Sequence, residues 1–165
     1  MTSHDDDLPD GFEVPDDLSA LLDGPAEDPS VVLVITQVAA PAPLAAACAI
    51  AKVEVDVVPT SIGAIAALRD PRAAADGAEA ISKLLRALPV ILLERREGQI
   101  TASRWTAGVR GDDLPAGLVL SDAPPVLEDL LLGSVRAGDV AGVVTSVGMS
   151  RWAAMRAIAG AAKRP

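Results

Sequence analysis

Twenty-one consecutive residues, Val31 to Ala51, carry no charge. A run of that length matches the roughly 20 apolar residues needed to cross a bilayer. Its composition argues for a different use. Pro41 and Pro43 interrupt it, Gln37 sits inside it, Ala outweighs Leu, and no basic cluster flanks it to set an orientation. Such a stretch is expected to be a buried strand followed by a buried helix, and a membrane is not the expected partner. Val31-Val32-Leu33-Val34-Ile35-Thr36 is a continuous β-branched and Leu run, the pattern of a strand covered on both faces. Pro41 to Pro43 turns the chain, and the Ala-rich Leu44 to Lys52 is expected to be helical.

Charge is segregated along the chain. Residues 1–28 hold ten acids and no Lys or Arg. The remaining residues hold 13 acids against 14 bases, so the formal net charge of −9 belongs to the leader and not to the domain. A segment so acidic and so poor in apolar residues is expected to be disordered. This divides the chain into an acidic tail, 1–28, and one domain, 29–165, large enough to build a core without metal or disulfides. Within the tail, Pro15 to Gly24 has acids at a helix start and Gly at its end. Leu18, Leu21 and Leu22 share one face of that turn, and Phe12 and Val14 precede it. These five residues are a candidate docking motif for a partner protein.

The rest of the domain reads as alternating strands and helices. Val53 to Val58 alternates with period two and is expected to be a half-buried strand. Ser61 to Arg69 is expected to be a short helix, and Arg72 to Leu88 a longer one that stops before Pro89. Val90–Glu94 and Gln99–Thr106 flank a Gly-containing link and predict a hairpin. Gly108–Pro115 reads as a loop and Gly117–Ser121 as a short strand. A helix is expected from the Pro124-Pro125 start to about Leu132, ending at Gly133. Residues 134–147 fit helix or strand equally, and 150–163 predict a terminal helix. This alternation predicts an α/β fold: a single domain with a mainly parallel or mixed central sheet of four or five strands flanked by helices.

The order from Val31 to Leu132 resembles the thioredoxin fold, most of all at Leu88-Pro89-Val90-Ile91-Leu92-Leu93-Glu94-Arg95-Arg96-Glu97-Gly98-Gln99-Ile100. The resemblance implies a cis-Pro89 ahead of a strand that turns through a charged, Gly-bearing hairpin. The family's Cys-x-x-Cys would follow the first strand, where this chain has Gln37-Val38-Ala39-Ala40-Pro41-Ala42-Pro43. The resemblance therefore implies a redox-inactive relative.

Few residues can carry chemistry. Cys48 is the one cysteine, which excludes an internal disulfide and fits a reducing, cytoplasmic compartment. A nucleophilic thiol needs a base or a positive field to ionise it. Cys48 lies among alanines, and the one histidine is His4, in the tail. Asp112-Asp113 is better read as a solvated loop than as a cation site. The glycines have no phosphate-cradling spacing, and a Ser-His-Asp triad cannot be built. No catalytic, cofactor-binding or metal site is expected.

Residues 133–165 carry a net charge of +4. Val143 to Arg156 resembles a helix-turn-helix, with Gly148-Met149-Ser150 as the turn and Arg151 and Arg156 as anion-facing residues. The opposing reading packs Trp152, Met155, Ile158 and Ala159 against the core. Three functions follow. The leading one is a non-enzymatic interaction module, an adaptor or regulator, that docks a partner protein through the tail or the Leu-rich helix after Pro125. The second is a redox-inactive thioredoxin-like protein or an enzyme of unknown reaction. The third is a nucleic-acid binder. Homo-oligomers are left open. The acidic leader and the basic end are also expected to attract each other, the leader covering a basic surface until a partner displaces it.

Overall fold

The computed structural model describes residues 28–162. The candidate motif at Phe12, Val14, Leu18, Leu21 and Leu22 lies outside the described residues. Seven strands form one sheet: β1 (Val31–Ile35), β2 (Val55–Val58), β3 (Ile65–Leu68), β4 (Val90–Arg96), β5 (Gln99–Thr106), β6 (Val109–Leu114) and β7 (Val144–Thr145). Five α-helices accompany them: α1 (Pro41–Ile50), α2 (Ala74–Leu85), α3 (Ala116–Ser121), α4 (Pro125–Leu132) and α5 (Arg151–Ala162).

The expectation of a mainly parallel or mixed sheet of four or five strands is overturned. The order is β6-β5-β4-β1-β3-β2-β7, and every pairing is antiparallel. The reason lies in β3. Because β3 runs antiparallel to both β1 and β2, those two strands point the same way, as a β-α-β unit requires. They are not neighbours, however: each crossover helix carries the chain past a slot that an antiparallel strand fills. The same holds for β3-α2-β4, whose slot is filled by β1. The order β-α-β-β-α-β with these two split units is that of ferredoxin-like folds. No strand pair is parallel, and no peptide bond among the described residues is cis, including the one before Pro89. The cis-Pro89 that the thioredoxin resemblance implies is absent, while the charged, Gly-bearing hairpin after it is present.

The segment Ser61 to Arg69 therefore holds the four-residue strand β3, Ile65–Leu68, and not the expected helix. Ile65-Ala66-Ala67-Leu68 has good helix formers, but it is buried between two strands and alternates faces as a sheet demands. Gly63 makes this possible. Its φ is +127°, and a Cβ there would collide with the Thr36 carbonyl oxygen. Thr36 Oγ1 donates to the Ala64 carbonyl at 2.7 Å and locks the start of β3 against the end of β1.

The predicted hairpin β4–β5 is present. Its two-residue link, Glu97-Gly98, has φ of 47° and 83°, as a type I′ turn requires. The predicted loop 108–115 is instead strand β6, entered through a second such link, Ala107-Gly108, with φ of 50° and 85°. Alanine is an unusual residue there, so the turn carries no sequence signal. Gly117–Ser121 is helix α3 and not a strand. Residues 134–147 contain a 3₁₀ turn, Ala137–Asp139, and the two-residue β7.

Helices cover both faces. On one, Leu44, Ala45 and Cys48 of α1 and Ala74, Ala78 and Ile81 of α2 pack on Val32, Val34, Val55, Val57, Leu92 and Trp105. On the other, Leu127, Leu130 and Leu131 of α4 pack on Leu33, Ile65, Leu93 and Ala102. Arg95 ties this helix down by donating from Nη1 to the Leu131 carbonyl at 3.0 Å. Helix α4 starts with Pro125 in its first turn and ends at Gly133 in the left-handed region, as its sequence predicts.

Ser146 fixes the path from β7 into α5. It is buried, its Oγ accepts from Val55 N–H at 2.9 Å, and the same hydroxyl donates to the Val53 carbonyl at 2.7 Å. Ser146→Ala leaves both backbone groups without that partner. It is expected to lower the unfolding free energy by about 1–3 kcal/mol, read from urea denaturation. A loss within error of zero would show that water replaces the hydroxyl.

Candidate interaction surface

Helix α5 is held at the periphery. It lies chiefly against α1, which itself lies against the sheet. Ser150 caps it, its Oγ accepting from Ala153 N–H at 3.1 Å. The two helices run antiparallel: Ala49 and Ile50 at the end of α1 adjoin Met149 and Arg151, and Ala42 and Pro43 at its start adjoin Ala157, Gly160 and Ala161.

The face that α5 turns inward consists of small residues. Ala154 is fully buried, and Ala157 and Ala161 are half-buried. Spaced three and four apart, they form one stripe, and α1 adjoins α5 with Ala42 and Pro43 at one end and Ala49 and Ile50 at the other. This overturns the expectation that Trp152, Met155, Ile158 and Ala159 pack against the core. Trp152 is 78% exposed, Met155 60% and Ile158 37%. Two alanine-rich helices have no volume for a Trp between them, so the large side chains turn outward.

Arg151 and Arg156, the predicted anion-facing residues, are both exposed on α5. Arg151 stands four residues before Met155 and Arg156 four after Trp152, so a guanidinium borders each apolar side chain. Residues 151–162 contain no acid. Lys52 adds a third cation at the same end. It lies with Arg151 on a cleft of about 230 Å³ that Ile50 and Met149 also line. Lys52 is held in the left-handed region, φ 62°, by a Schellman ending of α1: Val53 N–H donates to the Cys48 carbonyl at 2.8 Å and Lys52 N–H to that of Ala49 at 3.2 Å. None of Lys52, Arg151 and Arg156 makes an ion pair among the described residues. At the other end of the α1–α5 seam, Val38, Ala39, Ala40, Ala42 and Pro43 open an apolar groove of about 600 Å³.

The predicted helix-turn-helix is not assembled. Residues 140–147 hold β7 and no first helix, and β7 pairs with β2. In the Leu-rich helix after Pro125, Leu127, Leu130 and Leu131 are buried on the sheet, while Leu132 is exposed.

Two further cavities carry charged residues in a mostly apolar lining. One, of about 390 Å³, is lined by Lys52, Glu54, Asp70 and Asp76 between α2 and the end of α1. Asp70 is already engaged there. The Arg72 N–H and then its guanidinium hold the carboxyl below its ordinary range. The other, of about 500 Å³, lies on the α4 side and includes the Asp56–Arg69 pair at 2.9 Å and Arg136. Among the described residues no group of His, Cys, Asp and Glu could hold a metal ion. No helix among them is long and apolar enough to cross a membrane.

Cys48 is buried under α1, and desolvation pushes its thiol up to about 12. At pH 8 the thiolate is then about one part in 10⁴. A disulfide reagent at that pH is expected to leave Cys48 unmodified in the folded chain and to titrate one thiol in denaturant. Prompt modification of the folded chain would show an accessible thiolate.

Comparison with protein families, with curated proteins and with solved structures returns no match.

Proposed function

We propose that this chain is a non-enzymatic interaction module that binds another protein through the outward face of α5. The observation that carries the reading is the Trp152–Met155 stripe, solvent-exposed and bordered by Arg151 and Arg156. Trp, Met and Arg are the residue types enriched at protein interfaces, and Trp and Arg recur as energetic anchors. A buried alternative was available to the sequence: a Leu-rich helix that the fold does bury.

The chemistry favours an acidic, apolar segment of a partner. Apolar residues would cover Trp152 and Met155, and carboxylates would meet Arg151, Arg156 and Lys52 as charge-assisted hydrogen-bond partners. A nucleic-acid backbone would meet too few cations here: three near the surface, with Trp152 and Met155 left facing solvent. The single, buried cysteine supports a reducing, cytoplasmic setting for such a module.

A pull-down from the native cell tests this. Full-length chain, Trp152→Ala/Met155→Ala and a control, Leu118→Ser, would be compared; Leu118 is exposed on α3, away from α5. One protein, identified by mass spectrometry, is expected to be retained by the wild type and the control and reduced at least about tenfold by the double variant, since interface anchors contribute about 2 kcal/mol or more each. Identical capture by all three would remove the proposal.

A further inference from the structure

The proposed surface has an occupant within the chain itself. We propose that the segment Phe12–Leu22 lies in cis on the Trp152–Met155 face of α5, so that an external partner binds only by displacing it. This rests on the reading of α5 as an interaction surface.

Three observations point to this segment. The first is charge. Glu13, Asp16, Asp17 and Asp23 lie in or beside it, residues 1–28 contain no base, and α5 contains no acid. Arg151, Arg156 and Lys52 are cations with no ion pair among the described residues. The second is spacing. Leu18, Leu21 and Leu22 recur at three and four residues, the same interval that places Trp152 and Met155, with Ala159, on one outward stripe. Phe12 and Val14 extend the apolar set. The third is position. Strands β1 and β2 point the same way, so the chain enters β1 at the end of the sheet where it also enters β2. That is the end where α1 finishes, where Val53 follows Lys52, and where α5 begins at Arg151.

Length permits the contact. From the sheet to α5 the path crosses two layers, each about 8–10 Å thick. The chain is first fixed to the sheet at Ser30, whose N–H donates to the Arg95 carbonyl. The eight steps from Leu22 to Ser30 span up to about 27 Å when extended, enough to pass the α5 axis to its outer side, and every earlier residue reaches further. A short tether gives an effective concentration in the millimolar range, so even a weak contact is occupied. Neither charge nor apolar burial has to be strong on its own. The consequence is a competition: the partner must supply more than the leader does at that concentration.

The buried thiol of Cys48 makes the test specific. Ser19→Cys introduces one reactive thiol into the full-length chain, and a nitroxide placed there reports on nearby amides. Selective broadening of the amide resonances of residues 151–159 is expected. It should be lost when Leu18→Ser, Leu21→Ser and Leu22→Ser are added. In a sample mixing isotope-labelled chains without the nitroxide and unlabelled chains with it, no broadening is expected. Broadening in that mixture would overturn docking in cis in favour of a second copy. Resonances of α5 untouched in every sample would overturn it outright.

The triple Leu variant separates this idea from the one beneath it. With the leader released, capture of the partner should rise several-fold, while Trp152→Ala/Met155→Ala still abolishes it. If α5 is unbroadened and the double variant nevertheless loses the partner, the cis contact falls and the interaction surface stands. If the double variant retains the partner, the surface falls first.

Discussion

Pairing of β3 with β1 on one side and β2 on the other keeps those two crossover-linked strands from pairing with each other in parallel. The contact depends on small groups at close quarters. Gly63 lets the backbone pass the Thr36 carbonyl oxygen, and Thr36 Oγ1 then holds Ala64. Ala66 and Ala67 keep the centre of the sheet thin enough for α1 to seat on one face while the other is covered by α4 and its flanking segments. Remove β3 from its slot and β1 and β2 would be left parallel, two strand widths apart. The all-antiparallel order is thus a property of where this four-residue strand sits, and the local sequences of its neighbours do not determine it.

A second use of small side chains places the surface. Close approach of two alanine-rich helices is favoured by dispersion over a short distance, and it leaves no room for large side chains in the seam. Helix α5 therefore presents its bulk to solvent. The outward Trp and Met follow from how α1 and α5 meet, and the bordering arginines follow from their spacing along the helix.

Much of this was legible in the sequence, and the failures have physical causes. The β-branched run at Val31–Thr36, the hairpin across Glu97-Gly98 and the helix between Pro125 and Gly133 all carry local signals that tertiary packing did not override. β3 did not, because Ala and Leu favour a helix until two flanking strands supply hydrogen bonds and burial. β6 was hidden by a turn with Ala107 at positive φ and by an exposed strand lacking alternation. The direction of the sheet was misread because a β-α-β order fixes orientation without fixing adjacency. At the surface, the exposure of Arg151 and Arg156 agrees with their charge. Trp152 and Met155 were assigned inward because the larger apolar face of a helix is ordinarily the buried one. The signal that could have corrected this was the stripe Ala154, Ala157 and Ala161, complementary to an equally alanine-rich α1.

The two margins of the sheet differ from α5 in a way that bears on how the molecule meets others. On one margin, β6 runs Val109-Arg110-Gly111-Asp112-Asp113-Leu114, almost wholly solvent-facing, with Arg110 bonded to Asp113 at 2.8 Å. On the other, β7 is two residues long, and helix α5 follows after residues 146–150. Charged side chains and brevity are the means by which open edges avoid recruiting foreign strands. Growth by strand addition, and the fibrous aggregation it seeds, is discouraged at both flanks. The interaction surface proposed on α5 uses side chains of a helix and extends neither edge of the sheet.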